Sequence, residues 1–469
     1  MIPSFPLSPR VLGLTALLLS ACSTPSVSAP PLDSEPLAEA GVPDWPGLQR
    51  DATSPDLPRV DLALPLPPPW TRQIGTSAAD HARAVAVDGA GNVYVAGFTS
   101  GAMAGAATAG GDDILVVKLG SDGQQIWTRQ LGTTERDIAL GLAVDAQGQA
   151  YVTGSTTGDL QGANAGNDGT CQGATNCPDL FVLKLGSNGA PLWTRQLGTT
   201  GDDTSNGIAL DGSGIYITGK TAGALDGHSS AGWNDVFLIK YSFDGDMLWS
   251  QQFGGFSFDE GRAVATDGQN AVWVTGYMAF TTGNDDVFLS KRSADTGGEF
   301  WQRTLASPGK ANEEGYAVAV DAAGVFVCGY TMGALPGNSL TGYSDLFVAR
   351  WAFDGSPGWV KQFGATQANP AFALADALYL GEGGVVYAAG FSNGSLGPTG
   401  LGGYDVFVLK LDPDGSKAWA RPYGSTAGDR GYGLTGRGSR LVVVGDTEGS
   451  VEGNPNLGAA DILIQQLEP

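Results

Sequence analysis

Positively charged residues are scarce in this chain of 469 residues. Lys and Arg together number 25 against 48 Asp and Glu, and the formal net charge is −23. Nucleic acid and anionic membrane surfaces are bound through clustered bases, so this balance argues against both as partners. Cationic polymers and divalent metal ions stay compatible with it.

Histidine and cysteine are rarer still, which restricts catalysis and transition-metal binding. His81 and His228 are the 2 histidines; each is a candidate general base, and an exposed loop histidine is the alternative interpretation. Cys171 and Cys177 lie in one loop and should form a disulfide in an oxidising compartment, while Cys328 reads as a small buried hydrophobe. The sequence has no phosphate loop, nucleophile elbow or Cys/His zinc cluster, so we assign no catalytic residue.

Long apolar runs are missing apart from Val11–Leu19, which is too short to span a bilayer. With Arg10 before it, this run predicts a signal peptide over residues 1–21. It ends in Leu19-Ser20-Ala21-Cys22, which resembles the lipobox of bacterial lipoproteins. That resemblance implies that Cys22 is lipidated and becomes the mature N-terminus, and Ser23 then favours the outer membrane. Ordinary secretion with an incidental Cys22 is the alternative.

Residues 22–66 have no regular apolar period and are rich in Pro, Ser, Ala and Asp. Such a composition cannot bury enough surface to offset the entropy of ordering it, so we predict a disordered tether. Its prolines would keep it extended over a reach on the order of 100 Å. A small folded N-terminal domain is the alternative.

What the chain has in abundance is an internal repeat. Trp127-Thr-Arg-Gln-Leu-Gly132 recurs closely at Trp70 and Trp193 and more loosely at Trp249, Trp301, Trp359 and Trp419, with spacings of 52 to 66 residues. A second signature has an Asp, three mostly apolar residues, a variable residue and a base. Its copies are Asp113–Lys118, Asp179–Lys184, Asp235–Lys240, Asp286–Lys291, Asp345–Arg350 and Asp405–Lys410, and in a seventh, Asp461–Gln466, the base is lost. A fixed period of this size indicates a repeat architecture.

Each repeat predicts four short strands. Within residues 80–132, Ala84–Val87, Val93–Gly97, Ile114–Leu119 and Gln125–Leu131 are apolar or aromatic runs separated by Gly/Asp turns. No segment keeps a helical period. Four strands in each of seven repeats predict an all-β, seven-bladed β-propeller over residues 67–469.

The repeat also resembles a known family. Gly-Thr, a following Asp, Ala-Val-Asp, Tyr-Val-Thr-Gly-Ser-Thr and Asp-Leu-Phe-Val-Leu-Lys-Leu, best seen from Asp137 to Trp193, resemble the bacterial SBBP-type β-propeller repeat. The resemblance implies the propeller fold and no particular activity. In propellers of this pattern the Ala-Val-Asp strand lines the channel and the Trp strand is outermost. We therefore expect the Trp strand at Trp70 to complete the last blade by pairing with Ile462–Gln465, which hides the sheet edges.

A recurring acid lies eight residues before the Ala-Val-Asp aspartate or its equivalent. Its copies are Asp80, Asp137, Asp203, Asp259, Glu313 and Asp429, with Ala373 in the sixth repeat. We expect these side chains at the mouth of the channel on the top face, which carries the long loops, whereas the bottom face carries short turns. A calcium site is one interpretation; acids that accept backbone hydrogen bonds and fix turns are the other.

These features favour a monomeric, exported, lipid-anchored propeller that serves as a binding or scaffold module at the bacterial cell envelope. Its partner, an unidentified protein or polysaccharide, should engage the loops of the top face, since binding sites favour loops on a rigid scaffold. No cofactor follows from the sequence except possible calcium. The alternative is a calcium-assisted hydrolase or lyase at the acidic mouth of the channel, and a purely structural envelope component is a third interpretation.

Overall fold

The computed structural model describes residues 68–103, 105–106, 108–166, 171, 176–281, 284–368, 370–397 and 400–469. The signal peptide, Cys22 and the tether predicted from the sequence lie outside the described residues. Across the described ranges, the structure contains no helix long and apolar enough to cross a membrane.

The innermost strand of each blade begins at the recurring acid or its equivalent. These strands are β2 (Asp80–Val87), β6 (Asp137–Val144), β10 (Asp203–Asp211), β14 (Asp259–Thr266), β18 (Glu313–Asp321), β22 (Ala373–Leu380) and β26 (Asp429–Arg437). The second strands are rich in β-branched and aromatic residues and are almost wholly buried. They are β3 (Val93–Thr99), β7 (Ala150–Thr156), β11 (Gly214–Thr221), β15 (Ala271–Thr281), β19 (Gly324–Thr331), β23 (Val386–Ser392) and β27 (Arg440–Thr447).

The third strands carry the Asp-to-base signature. They are β4 (Asp113–Leu119), β8 (Asp179–Leu185), β12 (Asp235–Tyr241), β16 (Asn284–Ser293), β20 (Asp345–Trp351), β24 (Asp405–Leu411) and β28 (Asp461–Leu467). The outermost strands carry the repeated Trp or directly follow it. They are β5 (Gln125–Leu131), β9 (Pro191–Leu197), β13 (Met247–Phe253), β17 (Glu299–Leu305), β21 (Pro357–Phe363), β25 (Lys417–Tyr423) and β1 (Thr71–Ile74).

These strands form seven antiparallel four-stranded sheets, which confirms the seven-bladed β-propeller. The last sheet has the order β1-β28-β27-β26, with Thr71 opposite Gln465 and Ile74 opposite Ile462. The predicted closure by the N-terminal Trp strand is therefore confirmed. Two one-turn 3-10 helices, Leu225–Gly227 and Glu382–Gly384, lie in connections between strands.

The core lies between adjacent blades. At the closing seam, Val95 and Val117 of the first blade pack in one cluster with Val444 and Ile464 of the last. The two faces of each sheet are thus covered by the two neighbouring blades. This burial on both faces accounts for the nearly continuous apolar runs of the second and third strands.

In six blades the repeated Trp is linked by a hydrogen bond to the hairpin turn of a neighbouring blade. The indole N–H of Trp70 donates to the carbonyl of Ser121 at 3.0 Å, and that of Trp127 donates to Ser187 at 3.0 Å. Arg72 strengthens the first link by donating from Nε to the carbonyl of Gly123 at 2.8 Å. The Trp-Thr-Arg motif therefore fastens one blade to another, in addition to the packing role that its aromatic ring suggests.

Candidate functional site

In each blade the second strand carries a glycine near its end, and this glycine shapes the wall of the channel. In the first blade, a Cβ on Gly97 would overlap the carbonyl oxygen of His81 on the inner strand. The same overlap holds at Gly154, Gly219, Gly276, Gly329, Gly390 and Gly445. At this point the pairing skips one inner-strand residue, so that Ala82 faces Gly97 and Ala84 faces Ala96, with Arg83 left over. A bulge of this kind bends the strand and redirects the extra side chain.

The seven bulged residues are chemically diverse. They are Arg83, Leu140, Asn206, Arg262, Tyr316, Asp376 and Tyr432. The guanidinium of Arg83 lies 4.0 Å from the ring centre of Tyr432, and that of Arg262 lies 5.3 Å from the ring of Tyr316. Both arginines act electrostatically on Asp376. We name Arg83, Arg262, Tyr316, Asp376 and Tyr432 the channel cluster.

Two glutamates on neighbouring strands hold one arginine of the channel cluster. Nη1 of Arg262 lies 3.0 Å from Oε1 of Glu260, and Nη2 lies 3.5 Å from Oε2 of Glu314. The hydroxyls of Tyr277 and Tyr330 donate to these two carboxylates at 3.0 and 2.8 Å. Burial alone would lower the pKa of Arg262, but the carboxylate charges outweigh it and raise that pKa. Arg262 is thus a fixed cation in the channel wall.

The other arginine shares a carboxylate with a histidine. Oδ2 of Asp446 lies 3.3 Å from Nη1 of Arg83 and 2.7 Å from Nδ1 of His81, and Oδ1 accepts the backbone N–H of Ala82 at 3.1 Å. The ring of His81 also packs 4.7 Å from that of Phe98. His81 therefore serves to hold the first inner strand against the last blade.

Asp376 completes the channel cluster. Its Oδ2 is closed off from solvent and has no hydrogen-bond partner among the described residues. Burial raises the pKa of Asp376 to about 8, although the charges of Arg83 and Arg262 lower it. At neutral pH the carboxyl is mostly protonated, so the channel cluster carries a neutral acid between two tyrosines and two paired arginines.

The recurring acids are buried at the points where the inner strands begin. Asp80, Asp137, Asp203, Asp259, Glu313 and Asp429 all have 0% exposure. Oδ2 of Asp80 accepts hydrogen bonds from the backbone N–H and the hydroxyl of Thr76, while Thr99 donates to Oδ1. Burial raises the pKa of all six acids, to about 6 for Asp203. The geometry is that of turn-fixing acids.

Calcium binding by these acids stays a prediction. In the part of the chain that the structure describes, no group of three or more His, Cys, Asp or Glu side chains could hold a metal ion. The recurring acids instead lie near a second acid at the start of a third strand, as Asp137 does to Asp113, and these charges further raise their pKa. Gln130 donates to Oδ2 of Asp113 at 2.8 Å, which gives the last residue of the Trp-Thr-Arg-Gln motif its role.

The second histidine does not build a hydrolytic triad. Nε2 of His228 lies 2.8 Å from Oγ of Ser250, but that hydroxyl donates to Oδ2 of Asp226 at 2.6 Å. In a triad the carboxylate orients the histidine and the histidine takes the serine proton. Here the serine hydroxyl donates its hydrogen bond to the carboxylate and not to the histidine, so the hydrolase or lyase alternative finds no support at this loop.

Cys171 and Cys177 are joined by a disulfide, as the sequence predicts for an oxidising compartment. Cys328 is a free, buried thiol whose pKa is raised by burial. The disulfide belongs to the long top-face loop of the second blade, where it shortens the free length of the connection.

Exposed aromatic pairs lie on the top face of two blades. The rings of Trp233 and Phe258 stack with centres 5.8 Å apart and are 68% and 49% exposed. At the equivalent positions two blades later, Tyr343 is 54% exposed and packs 5.1 Å from the half-buried ring of Phe372. Parallel backbone bridges from Asn234 to Phe258 and from Ser344 to Phe372 fix both pairs. Aromatic side chains held rigidly in solvent are typical of binding surfaces.

Three segments of the chain, residues 70–102, 126–161 and 192–225, match the SBBP family model, described as a beta-propeller repeat. These segments cover the Trp strand and the first two strands of the next blade. These matches agree with the resemblance drawn from the sequence, and they support the assignment of the fold but not of an activity.

Two curated proteins are similar to parts of the chain. The regulatory protein FlaEY of Caulobacter vibrioides is 29% identical over 197 residues, which is 39% of this chain and 20% of that protein. An uncharacterised WD repeat-containing protein of Acanthamoeba polyphaga mimivirus is 25% identical over 260 residues, or 44% of this chain and 18% of that protein. The chain thus spans about a fifth of the length of the curated relatives it matches.

Among solved structures, the WD40 domain of Neurospora crassa Pan2 covers 84% of this chain and 95% of its own, with 9% identity and a TM-score of 0.45. The seven sheets make the chain a seven-bladed β-propeller repeat protein, and parts of it are similar to a regulatory protein and to a WD-repeat protein.

Proposed function

We propose that the chain is an exported, lipid-anchored β-propeller that serves as a monomeric binding or scaffold module at the bacterial cell envelope, with its partner on the top face. The observation that carries the binding role is the pair of equivalent exposed aromatic contacts, Trp233 with Phe258 and Tyr343 with Phe372. Rigid, exposed aromatic rings are the side chains most often found at binding hot spots.

A scaffold accounts for the rest of the geometry better than an enzyme does. The recurring acids are consumed by turns, and the two arginines of the channel cluster are paired with carboxylates. The indole of Trp70, just before β1, and the guanidinium of Arg72 on β1 donate hydrogen bonds that fasten the last blade to the first. A ring closed in this way presents its loops with little movement, which lowers the entropic cost of binding.

The top-face site is tested by changing one aromatic pair. We expect the double variant Trp233→Ala with Phe258→Ala to lower recovery of the partner by at least about tenfold in a pull-down from solubilised envelope. Truncating a hot-spot aromatic residue costs roughly 2 kcal/mol or more of binding free energy. Phe300→Ala is the matched control, because Phe300 is also 54% exposed but lies on an outermost strand. Undiminished recovery by the double variant would reject the top-face site, and capture of polysaccharide in place of protein would identify the other class of partner.

The anchor is tested separately. Cys22→Ala should prevent lipidation and move the protein from the membrane fraction to the soluble fraction, because the sequence offers no membrane-spanning run in its place. Mass spectrometry of the mature N-terminus measures the modification directly. An unchanged mass and unchanged fractionation would remove the lipoprotein assignment while leaving the binding role open to its own test.

A further inference from the structure

Six blades contain the same cross-strand pair of an aromatic residue and a base. The aromatic residue lies on the second strand, and the base lies directly opposite on the third. The pairs are Tyr94 with Lys118, Tyr151 with Lys184, Tyr216 with Lys240, Trp273 with Lys291, Phe326 with Arg350 and Tyr387 with Lys410. In all six the cation lies 4.7 to 5.9 Å from the ring centre.

This pair fills the space between two blades near the bottom face. The ring of Tyr94 meets the repeated Trp127 edge-on at 5.9 Å, and its hydroxyl donates to the carbonyl of Gly148 in the next blade at 2.9 Å. The amine of Lys184 likewise reaches the carbonyl of Phe243 in the following blade at 3.0 Å. The ring supplies bulk, and the amine supplies a polar link across the seam.

The last blade lacks both members of the pair. Val442 stands opposite Gln466 where the other blades have an aromatic residue opposite a base. At this seam a cavity of about 430 Å³ opens, within the roughly 300–1,000 Å³ typical of ligand pockets. Its lining includes Val87, Val93 and Val442 on the apolar side and Gln466, Arg437 and Arg440 on the polar side. The cavity therefore occupies the place of a side chain that the repeat normally provides.

The polar groups define what could enter. Gln466 is 8% exposed, and its Oε1 has no hydrogen-bond partner among the described residues, so a ligand that donates a hydrogen bond would satisfy it. Arg437 donates to the carbonyl of Asp88 at 3.2 Å, and Arg440 lies 2.8 Å from the exposed carboxylate of Glu468 near the chain end. Two guanidinium groups beside an apolar wall favour a carboxylate attached to a flat apolar body.

We propose that the seam between the last and first blades is a binding site for a small aromatic carboxylate with a hydrogen-bond donor on its ring. The ring replaces the missing aromatic side chain against Val442, the ring donor serves Gln466, and the carboxylate pairs with Arg437 and Arg440. This site lies on the bottom face, opposite the top-face aromatic pairs, and does not depend on the envelope role.

The probe for this site is 4-hydroxyphenylacetate, which has the phenol ring of tyrosine and one carboxylate. We expect saturable binding to the full chain by calorimetry, and weaker binding of the uncharged 4-hydroxyphenylacetamide by about tenfold or more, since a charge-assisted hydrogen bond is stronger than a neutral one. Failure of the acid to bind saturably, or equal binding of the acid and the amide, would overturn the proposal.

The double variant Val442→Tyr with Gln466→Lys rebuilds the pair found in the other blades and should fill the cavity. We expect it to lose binding of 4-hydroxyphenylacetate and to melt at least as high as the parent, because the new ring recovers packing that six blades already have. Undiminished binding by a folded double variant would overturn the proposal. Arg437→Gln changes an exposed residue of the cavity lining and gives a second test. It should weaken binding of the acid and leave binding of the amide unchanged, and equal affinity of the acid for parent and variant would contradict the site.

Discussion

Asp376 shows how strongly one position in the channel can depend on its surroundings. In the next two blades around the ring, the same bulged position is occupied by Tyr432 and then by Arg83, and the side chains of these two residues contact each other. Asp376 itself has an oxygen closed off from solvent without a hydrogen-bond partner among the described residues. Burial raises its pKa to about 8, against a carboxyl value near 4 in the unfolded chain.

This difference sets the sign of a pH effect. Between about pH 4 and pH 8 the folded chain keeps the proton of Asp376 and the unfolded chain has lost it, so the free energy of unfolding falls as pH rises through that window. Each pKa unit is worth about 1.4 kcal/mol. We therefore expect Asp376→Asn to raise the Tm by several degrees at pH 8 and to leave it nearly unchanged at pH 4.

Asp354→Asn is the control for this prediction, because Asp354 has a pKa lowered by hydrogen bonds from Ser356 and should not gain stability on neutralisation. A lower Tm for Asp376→Asn at pH 8 would show that ionised Asp376 gains more from Arg83 and Arg262 than burial costs.

The sequence could not reveal the channel cluster by alternation alone. A strand period of two assigns side chains to faces, and the bulge between Ala82 and Ala84 interrupts that period in the first blade. The repeated glycine typified by Gly97 is the signal that was available, since a glycine inside a strand indicates a bulge or a close backbone approach. Arg262 and Asp376 follow from that signal once the strands are paired.

Elements were the most predictable level of this protein. Short apolar runs, Gly/Asp turns and the Trp period predicted four strands in each of seven repeats, as the seven sheets confirm. The chain order of the Trp strands also predicted that the first and last elements share a blade, and Arg72 opposite Ile464 confirms the pairing. Local pattern suffices here because each blade repeats the same supersecondary unit.

Closure by β1 should therefore matter more to stability than its four residues suggest. Deleting residues 66–76 removes the pairing partner of β28, exposes an apolar sheet edge, and takes away the links from Trp70 and Arg72 to the first blade. We expect a lower Tm and aggregation, since open edges pair with other chains.

Thermal melts and size-exclusion chromatography measure both effects of this deletion. Removal of residues 23–66 alone is the control and should leave the propeller monomeric with an unchanged Tm. A chain without residues 66–76 that stays as stable and monomeric as the parent would contradict the closing role of β1.

At the scale of the whole molecule, the repeat in the sequence predicted the positions of the recurring acids but not whether their carboxylates are buried. A repeat shows that Asp80 and its equivalents matter in six blades; it does not show whether their oxygens face solvent or protein. The Gly-Thr before each of the first three acids was the missing clue, because Thr76, Thr133 and Thr199 supply both the backbone and the hydroxyl donors. Electrostatics at the top face therefore comes from other acids, and the recurring ones act on the fold.

The recurring acids either bind calcium or fix turns. A variant that changes Asp80, Asp137, Asp203 and Asp259 to Asn distinguishes these two interpretations. Each Asn keeps the shape but places an N–H₂ group where a carboxylate oxygen accepted hydrogen bonds, as Oδ2 of Asp137 does from Thr133 at 2.9 Å. Losing such an acceptor in a buried turn costs about 1–3 kcal/mol per site. We expect a large fall in Tm in calorimetric melts, with the same fall in calcium and in chelator, because the lost bonds are between protein groups. If calcium raises the Tm of the parent and the variant loses that rise, the acids hold a metal ion after all, and the turn-fixing role is secondary.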